Sequence, residues 1–328
     1  MARGRKIDEG RVILLSNSLS THNRKCLPEI FKVAERYSFV EHLEGNSLKR
    51  LYIQLSAFKG KEIDLLILNG GDGTIHSALT FLMNNRIFKD FPKIAILGGG
   101  MTNMIARDLK TGGPVARDLE TILESYARGE IDTHISEHNL VRIDFNDKRE
   151  PQFGMFFGGA SMPSLISYTV NHIYPLGIKG KMAQLIGLGG FMSSFLFGRY
   201  RKGWIGYAPE MDVVFDNGKT YSGHISLVAT TTLSALIFGG RAPYKAGHLP
   251  LLILRPHVRA VIIALFRGAM GTIDRARTKT ISFDHVKSVT IRGGASFVLD
   301  GEIHQYEGTG PIKISGTEPL KFVSFRGK

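Results

Sequence analysis

The chain has 328 residues, 43% hydrophobic and 22% charged, a globular composition long enough for two domains of ordinary size. Its net charge of +13 and pI near 9.8 call for an anionic partner, whether nucleic acid, nucleotide or membrane surface, without choosing among them. The single cysteine, Cys26, excludes an intramolecular disulfide and a Cys-ligated zinc site and is compatible with a reducing cytosol.

The basic start Met1 to Lys6 leads into Ile7-Asp8-Glu9-Gly10 instead of an apolar core, so no secretory signal is expected. Val12 to Leu15 reads as a short buried strand, followed by the polar turn Ser16 to Thr21. Pro28 to Tyr37 reads as a helix, Ser38 to Leu43 as a strand, and Ser47 to Phe58 as a helix with Leu48, Leu51, Tyr52 and Leu55 on one side. Leu65 to Leu68 reads as a strand buried on both faces that stops in Gly70-Gly71-Asp72-Gly73. Helical spacing resumes at Thr74, with Ile75, Leu79 and Leu82 on one face and His76 and Ser77 off it, and runs to about Asn84. Lys93 to Leu97 is another buried strand, ending in Gly98-Gly99-Gly100. This alternation predicts a parallel sheet with helices on both faces, in which ligands bind at the carboxyl ends of the strands. Both glycine turns occupy such ends and are expected to face one crevice.

A strand, a glycine turn and a helix N-terminus make a phosphate site, because free amides and the helix dipole point at the anion. Taken alone the cluster also fits a simple tight turn. Asp72 is the odd member: a carboxylate beside phosphates repels them unless a divalent cation or a donor hydroxyl lies between, which points to metal-assisted phosphate chemistry.

Beyond residue 137 the pattern turns to β signals at Asn139 to Phe145, Phe153 to Gly158, Met211 to Phe215, Tyr221 to Thr231, Ser288 to Ile291 and Ser296 to Leu299, with Asn217-Gly218 as a hairpin turn. An antiparallel sandwich or barrel is expected, with helices inserted near 161 to 197 and 256 to 268. The apolar stretches Leu185 to Gly198 and Leu249 to Phe266 fall short of membrane spans in length or purity, so a soluble protein is expected. The first is fenced by Lys179, Lys181, Arg199, Arg201 and Lys202. That arrangement suits docking to anionic lipid, or equally a core helix with a solvated basic end.

Gly70-Gly71-Asp72-Gly73-Thr74 resembles the nucleotide motif of the superfamily that contains diacylglycerol kinases, sphingosine and ceramide kinases, and NAD kinases. Gly100-Met101-Thr102-Asn103-Met104-Ile105-Ala106-Arg107 resembles the second motif of its lipid-kinase branch, G-T-x-N-D-x-A-R, and Leu299-Asp300-Gly301-Glu302 its late D-G-E motif. The resemblance covers nearly the whole chain. It implies an α/β nucleotide-binding domain at residues 1–137, rejoined by about 307–328, and a β-rich lipid-substrate domain at 138–306, with the site between them. Met101 and Met104 depart from the usual Thr and Asp, and Ser77 from a common Glu, while His76 is seen in sphingosine-kinase relatives. Tyr244-Lys245-Ala246-Gly247-His248-Leu249 stands where many bacterial members have D-D-G-x-L-D, so their structural magnesium site is expected to be missing.

On this resemblance the expected activity is transfer of the γ-phosphate of ATP, with Mg²⁺, to the primary hydroxyl of diacylglycerol, ceramide or a sphingoid base by a cytoplasmic protein that docks on anionic membrane, with no nucleic-acid partner. A soluble-substrate kinase of the NAD kinase type and a non-catalytic nucleotide or polyanion binder are the alternatives. Gly70, Gly71, Gly73, Gly100 and Thr74 are expected to hold the phosphates, with Asn17, His76 and Thr102 nearby. Asn103 bonds ribose or phosphate or caps the next helix, and Arg107 is a phosphate ligand or a solvated charge. Asp72 is expected to be catalytic and to share Mg²⁺ with Asp300. Glu302 matches the family's general base, its proton affinity raised by the neighbouring Asp300; the other reading makes Asp300-Gly301 a plain hairpin turn with Glu302 exposed on the next strand.

Overall fold

The structure, a computed structural model, describes residues 11–178, 180–198, 201–233, 247–305 and 310–325. Met1 to Gly10, Lys179, Arg199, Tyr200 and Tyr244-Lys245-Ala246 lie outside the described residues. The chain divides into two compact units, Met1–His138 with Pro319–Lys328, and Asn139–Glu318.

The first unit alternates strand and helix: β1 (Val12–Asn17), α1 (Asn23–Ala34), β2 (Val40–Gly45), α2 (Leu48–Ser56), β3 (Leu65–Gly70), α3 (Asp72–Asn85), β4 (Lys93–Gly98), α4 (Met104–Asp108), α5 (Val115–Ala127) and β5 (Ile135–His138). The aliphatic runs of β1, β3 and β4 are the reason it folds this way. Val12, Leu14, Leu65, Ile67, Ala95 and Leu97 pack against Ile30 and Val33 of α1 and Leu119, Ile122 and Leu123 of α5. The alternating residues Ile13, Leu66, Leu68, Ile94 and Ile96 are just as buried, so both faces of the sheet are covered. Helix α3 starts at Asp72, two residues earlier than its spacing suggested, and its buried face includes His76, which the periodicity had placed off that face.

The second unit contains β6 (Val141–Phe145), β7 (Gln152–Gly154), β8 (Phe156–Ala160), α6 (Met162–Tyr168), α7 (Gly180–Gly198), β9 (Glu210–Phe215), β10 (Thr220–His224), β11 (Leu227–Thr231), β12 (Leu249–Leu254), α8 (Val258–Ala269), β13 (Ile281–Val286), β14 (Ser288–Arg292), β15 (Ser296–Leu299), β16 (Glu302–Gln305) and β17 (Ile312–Gly316). Its strands form two antiparallel six-stranded sheets, β10-β9-β14-β17-β6-β7 and β13-β12-β11-β8-β15-β16. Val141, Ile143, Val213 and Ile291 of the first share one core with Phe157, Val228, Leu251 and Phe297 of the second, which makes the unit a sandwich. The single run expected at Tyr221 to Thr231 is divided between the two sheets.

The chain then returns to the first unit as β18 (Leu320–Val323), parallel to β4 and antiparallel to β5, so that sheet runs β2-β1-β3-β4-β18-β5. It is a mixed sheet, parallel except for its β5 edge. The return begins at Pro319, later than the expected 307, because Ile312 and Ile314 face the sandwich core and β17 pairs with β6 and β14. Among the described residues no helix is long and apolar enough to cross a membrane.

Candidate functional site

Strands β3 and β4 are paired in register to their ends, Gly70 opposite Gly98, so their two turns emerge side by side. A Cβ on Gly100 would overlap the Gly71 Cα, and one on Gly70 would lie 2.7 Å from the Thr74 Cβ. Only glycine permits this approach. Gly71 is the N-cap of α3, which leaves the first-turn amides of Asp72, Gly73 and Thr74 directed outward at the positive end of the helix dipole. Thr74 Oγ1 accepts a 2.8 Å bond from Asn17 Nδ2, tying the first turn to the end of β1.

Asp72 does something the sequence did not disclose. Its Oδ2 accepts from the Met104 N–H at 3.1 Å and its Oδ1 from the Ile105 N–H at 3.3 Å, so a residue of one turn caps the helix that follows the other. Burial pushes the Asp72 carboxyl above its ordinary value, against the opposing pull of these bonds and of the Arg107 charge. Asn103 is the N-cap residue of α4, but its side chain makes no capping bond. It adopts the left-handed conformation (φ 49°), and its Oδ1 accepts from Gly100 N while its Nδ2 donates to the carbonyls of Gly98 and Gly100, which closes the second turn. Thr102 lies half-buried in that turn and Arg107 is exposed on α4. Met104, standing where the family has Asp, contributes its backbone N–H.

Beneath the turns lies a buried polar layer that sequence reading largely missed. Asn69, 1% exposed, donates to Ser16 Oγ at 3.0 Å, and Ser16 Oγ also meets His42 Nε2 at 2.9 Å. Asn23, fully buried, donates to the carbonyls of Asn17 and Asn69. The available signal was Asn69 itself, an amide closing an aliphatic strand.

In the second unit Leu299 pairs with Glu302 across Asp300-Gly301, both at positive φ (50° and 88°), a type I′ hairpin turn. Asp300 is 2% exposed, and its carboxylate accepts from Met155 N and Phe156 N at 2.8–3.1 Å, pinning the junction of β7 and β8. Glu302 remains exposed at the start of β16, yet its carboxyl is held above the usual carboxylate range. The cause is desolvation by its surroundings. The turn reading and the exposure of Glu302 therefore both hold. As donors for a hard divalent cation the two aspartates differ. Asp72, half-buried with acceptor sites beyond its two N–H bonds, fits. Asp300, enclosed with its oxygens on backbone amides, does not.

A largely parallel α/β unit with a double glycine turn at a helix N-terminus has the architecture that suits phosphate binding. The narrower assignment comes from residues 11–134, which match the family model of the diacylglycerol kinase catalytic domain. The lipid-kinase resemblance of the motifs is thereby borne out over these residues, and a kinase domain of this kind implies ATP use. None of the curated proteins matches the chain. Among solved structures it is similar to a protein from Bacillus anthracis str. Sterne provisionally named a diacylglycerol kinase, with TM-score 0.66 and 19% identity over 97% of this chain and 98% of that one. A diacylglycerol kinase from the same organism gives TM-score 0.61 and 15% identity with the same coverage. These likenesses extend the shared fold over both units.

Proposed function

We propose that the protein is an ATP-dependent lipid kinase that phosphorylates the primary hydroxyl of a diacylglycerol, ceramide or sphingoid base. The observation that carries the reading is the pair of glycine turns held together at Gly71 and Gly100, a cradle that a Cβ would fill, within the segment matched to the kinase family. The amides of Asp72, Gly73 and Thr74 bind the phosphates and the α3 dipole stabilises their charge. Asp72 would hold Mg²⁺, which when bound neutralises charge on the triphosphate. Glu302 accepts the proton of the lipid hydroxyl as its oxygen bonds to the γ-phosphorus and the bond to the β-phosphate oxygen breaks, releasing ADP. A carboxyl with raised proton affinity suits that base role near neutral pH.

The test is incubation with labelled ATP, Mg²⁺ and a panel of lipids in mixed micelles. Label in an organic-soluble product is expected; label confined to a water-soluble dinucleotide, or no transfer at all, overturns the reading.

A further inference from the structure

No Asp or Glu occurs from residue 151 to 209, nor from 217 to 273, and these two stretches contain α6, α7 and α8. Helices α7 and α8 pack together through Phe191 and Phe195 of the first and Val261 of the second, with Met192, Val258 and Leu265 around them. Their other sides are apolar as well. On α8 and its cap, Ile262, Phe266 and Met270 recur every four residues as a single stripe, 53%, 66% and 61% exposed. On α7, Met182 and Ile186 follow the same spacing and Phe197 near its end is 76% exposed. Arg259, also exposed, heads the α8 stripe one turn before Ile262. Trp204, the only tryptophan of the chain, lies just past α7 with the Arg201 guanidinium 5.5 Å from its ring centre.

We propose that the outer faces of α7 and α8, together with Trp204, form one docking face that enters the headgroup region of an anionic bilayer, with α8 inserting Ile262, Phe266 and Met270 as α7 inserts Phe197. Apolar side chains among arginines and without carboxylates match that boundary, where the alkyl and aromatic groups leave water and the guanidinium groups meet lipid phosphates. A second copy of the chain fits worse. A two-fold contact would set the same arginine-bearing surface, built from stretches without Asp or Glu, against itself. The proposal goes beyond a membrane role confined to α7. It rests on the lipid-kinase reading for its purpose, but its test needs no catalysis.

Trp204 supplies the readout. Fluorescence and cosedimentation are measured without ATP on vesicles of phosphatidylcholine alone and of phosphatidylcholine mixed with phosphatidylglycerol. The expected result is a blue shift and binding on the anionic vesicles, weakened by salt. Phe266→Ser should bind about tenfold more weakly, and Arg259→Gln about fivefold more weakly, each with unchanged thermal unfolding because both side chains are exposed. Absence of vesicle binding by the parent protein, or parent-like binding by both variants, overturns the proposal. So does a dimer in sedimentation that Phe266→Ser converts to monomer while vesicle binding persists. If the lipid-kinase reading alone is wrong, vesicle binding and its loss in the variants remain while no lipid in micelles is labelled.

Discussion

Asp72→Asn separates two tasks of one carboxylate. In the native protein each oxygen accepts one backbone N–H of α4, from Met104 and from Ile105. Asparagine keeps one acceptor and turns an NH₂ toward the other N–H, donor against donor. Loss of a hydrogen bond to a charged group costs roughly 1.5–3 kcal/mol. The net figure is smaller, about 1–2 kcal/mol, because the site is half-buried and burial already disfavours the charged form. For a unit of this size that corresponds to a fall in unfolding temperature of roughly 2–8 °C. If the same charge organises the phosphate site, turnover on lipid drops by about a hundredfold or more in protein that is still folded at the assay temperature. Thermal unfolding and product formation on one preparation decide the matter. An unchanged unfolding temperature refutes the capping argument, and near-normal turnover removes the Asp72 charge from phosphate binding.

Gly100→Ala drives a methyl group into the Gly71 backbone and should destabilise by about 1–3 kcal/mol while abolishing nucleotide binding, measured by denaturant unfolding and calorimetry. Asp300→Ala leaves the buried amides of Met155 and Phe156 without their acceptor and places alanine at φ 50°; a loss of at least roughly 3 kcal/mol is expected in denaturant unfolding, and Asp300→Asn should recover part of it. Glu302→Gln should keep ATP affinity and lose phosphoryl transfer. In the parent, turnover should fall as pH drops through the raised pKa of Glu302, where the carboxyl takes up a proton and can no longer accept one. Burial lowers the His42 pKa below 6.5, so the folded state resists its protonation and stability should decline as pH falls from 6.5 through the depressed value. His42→Gln should flatten that decline in unfolding measured across pH.

The β3-turn-α3 unit was readable because consecutive aliphatics, glycines and a resumed 3.6 period are local signals. So was the type I′ turn at Asp300-Gly301, since that dipeptide tolerates positive φ at both positions. The capping of α4 by Asp72 was not, because its donors lie more than thirty residues along the chain and are backbone atoms without sequence identity. The buried layer of Ser16, His42, Asn23 and Asn69 was hidden for a similar reason. Each residue is ordinary in its own segment, and only the register of β1 with β2 and β3 brings them together. The late return to the first unit was missed although Ile312, Lys313, Ile314 and Ser315 alternate, because a short alternating run does not say which sheet it will join.

Both motif aspartates turn out to serve the backbone, and this changes what loss of activity at either position means. Asp72 caps the helix after the second glycine turn, and Asp300 fixes the strands beside the turn that carries Glu302. Removing either carboxylate disturbs the placement of groups that would touch phosphate or lipid, so an inactive aspartate variant is no evidence by itself for a metal ligand. Glu302 is different. Desolvation by its surroundings raises its proton affinity. Its glutamine variant is therefore the one whose kinetic defect, with fold and nucleotide binding retained, assigns a chemical role instead of a positional one.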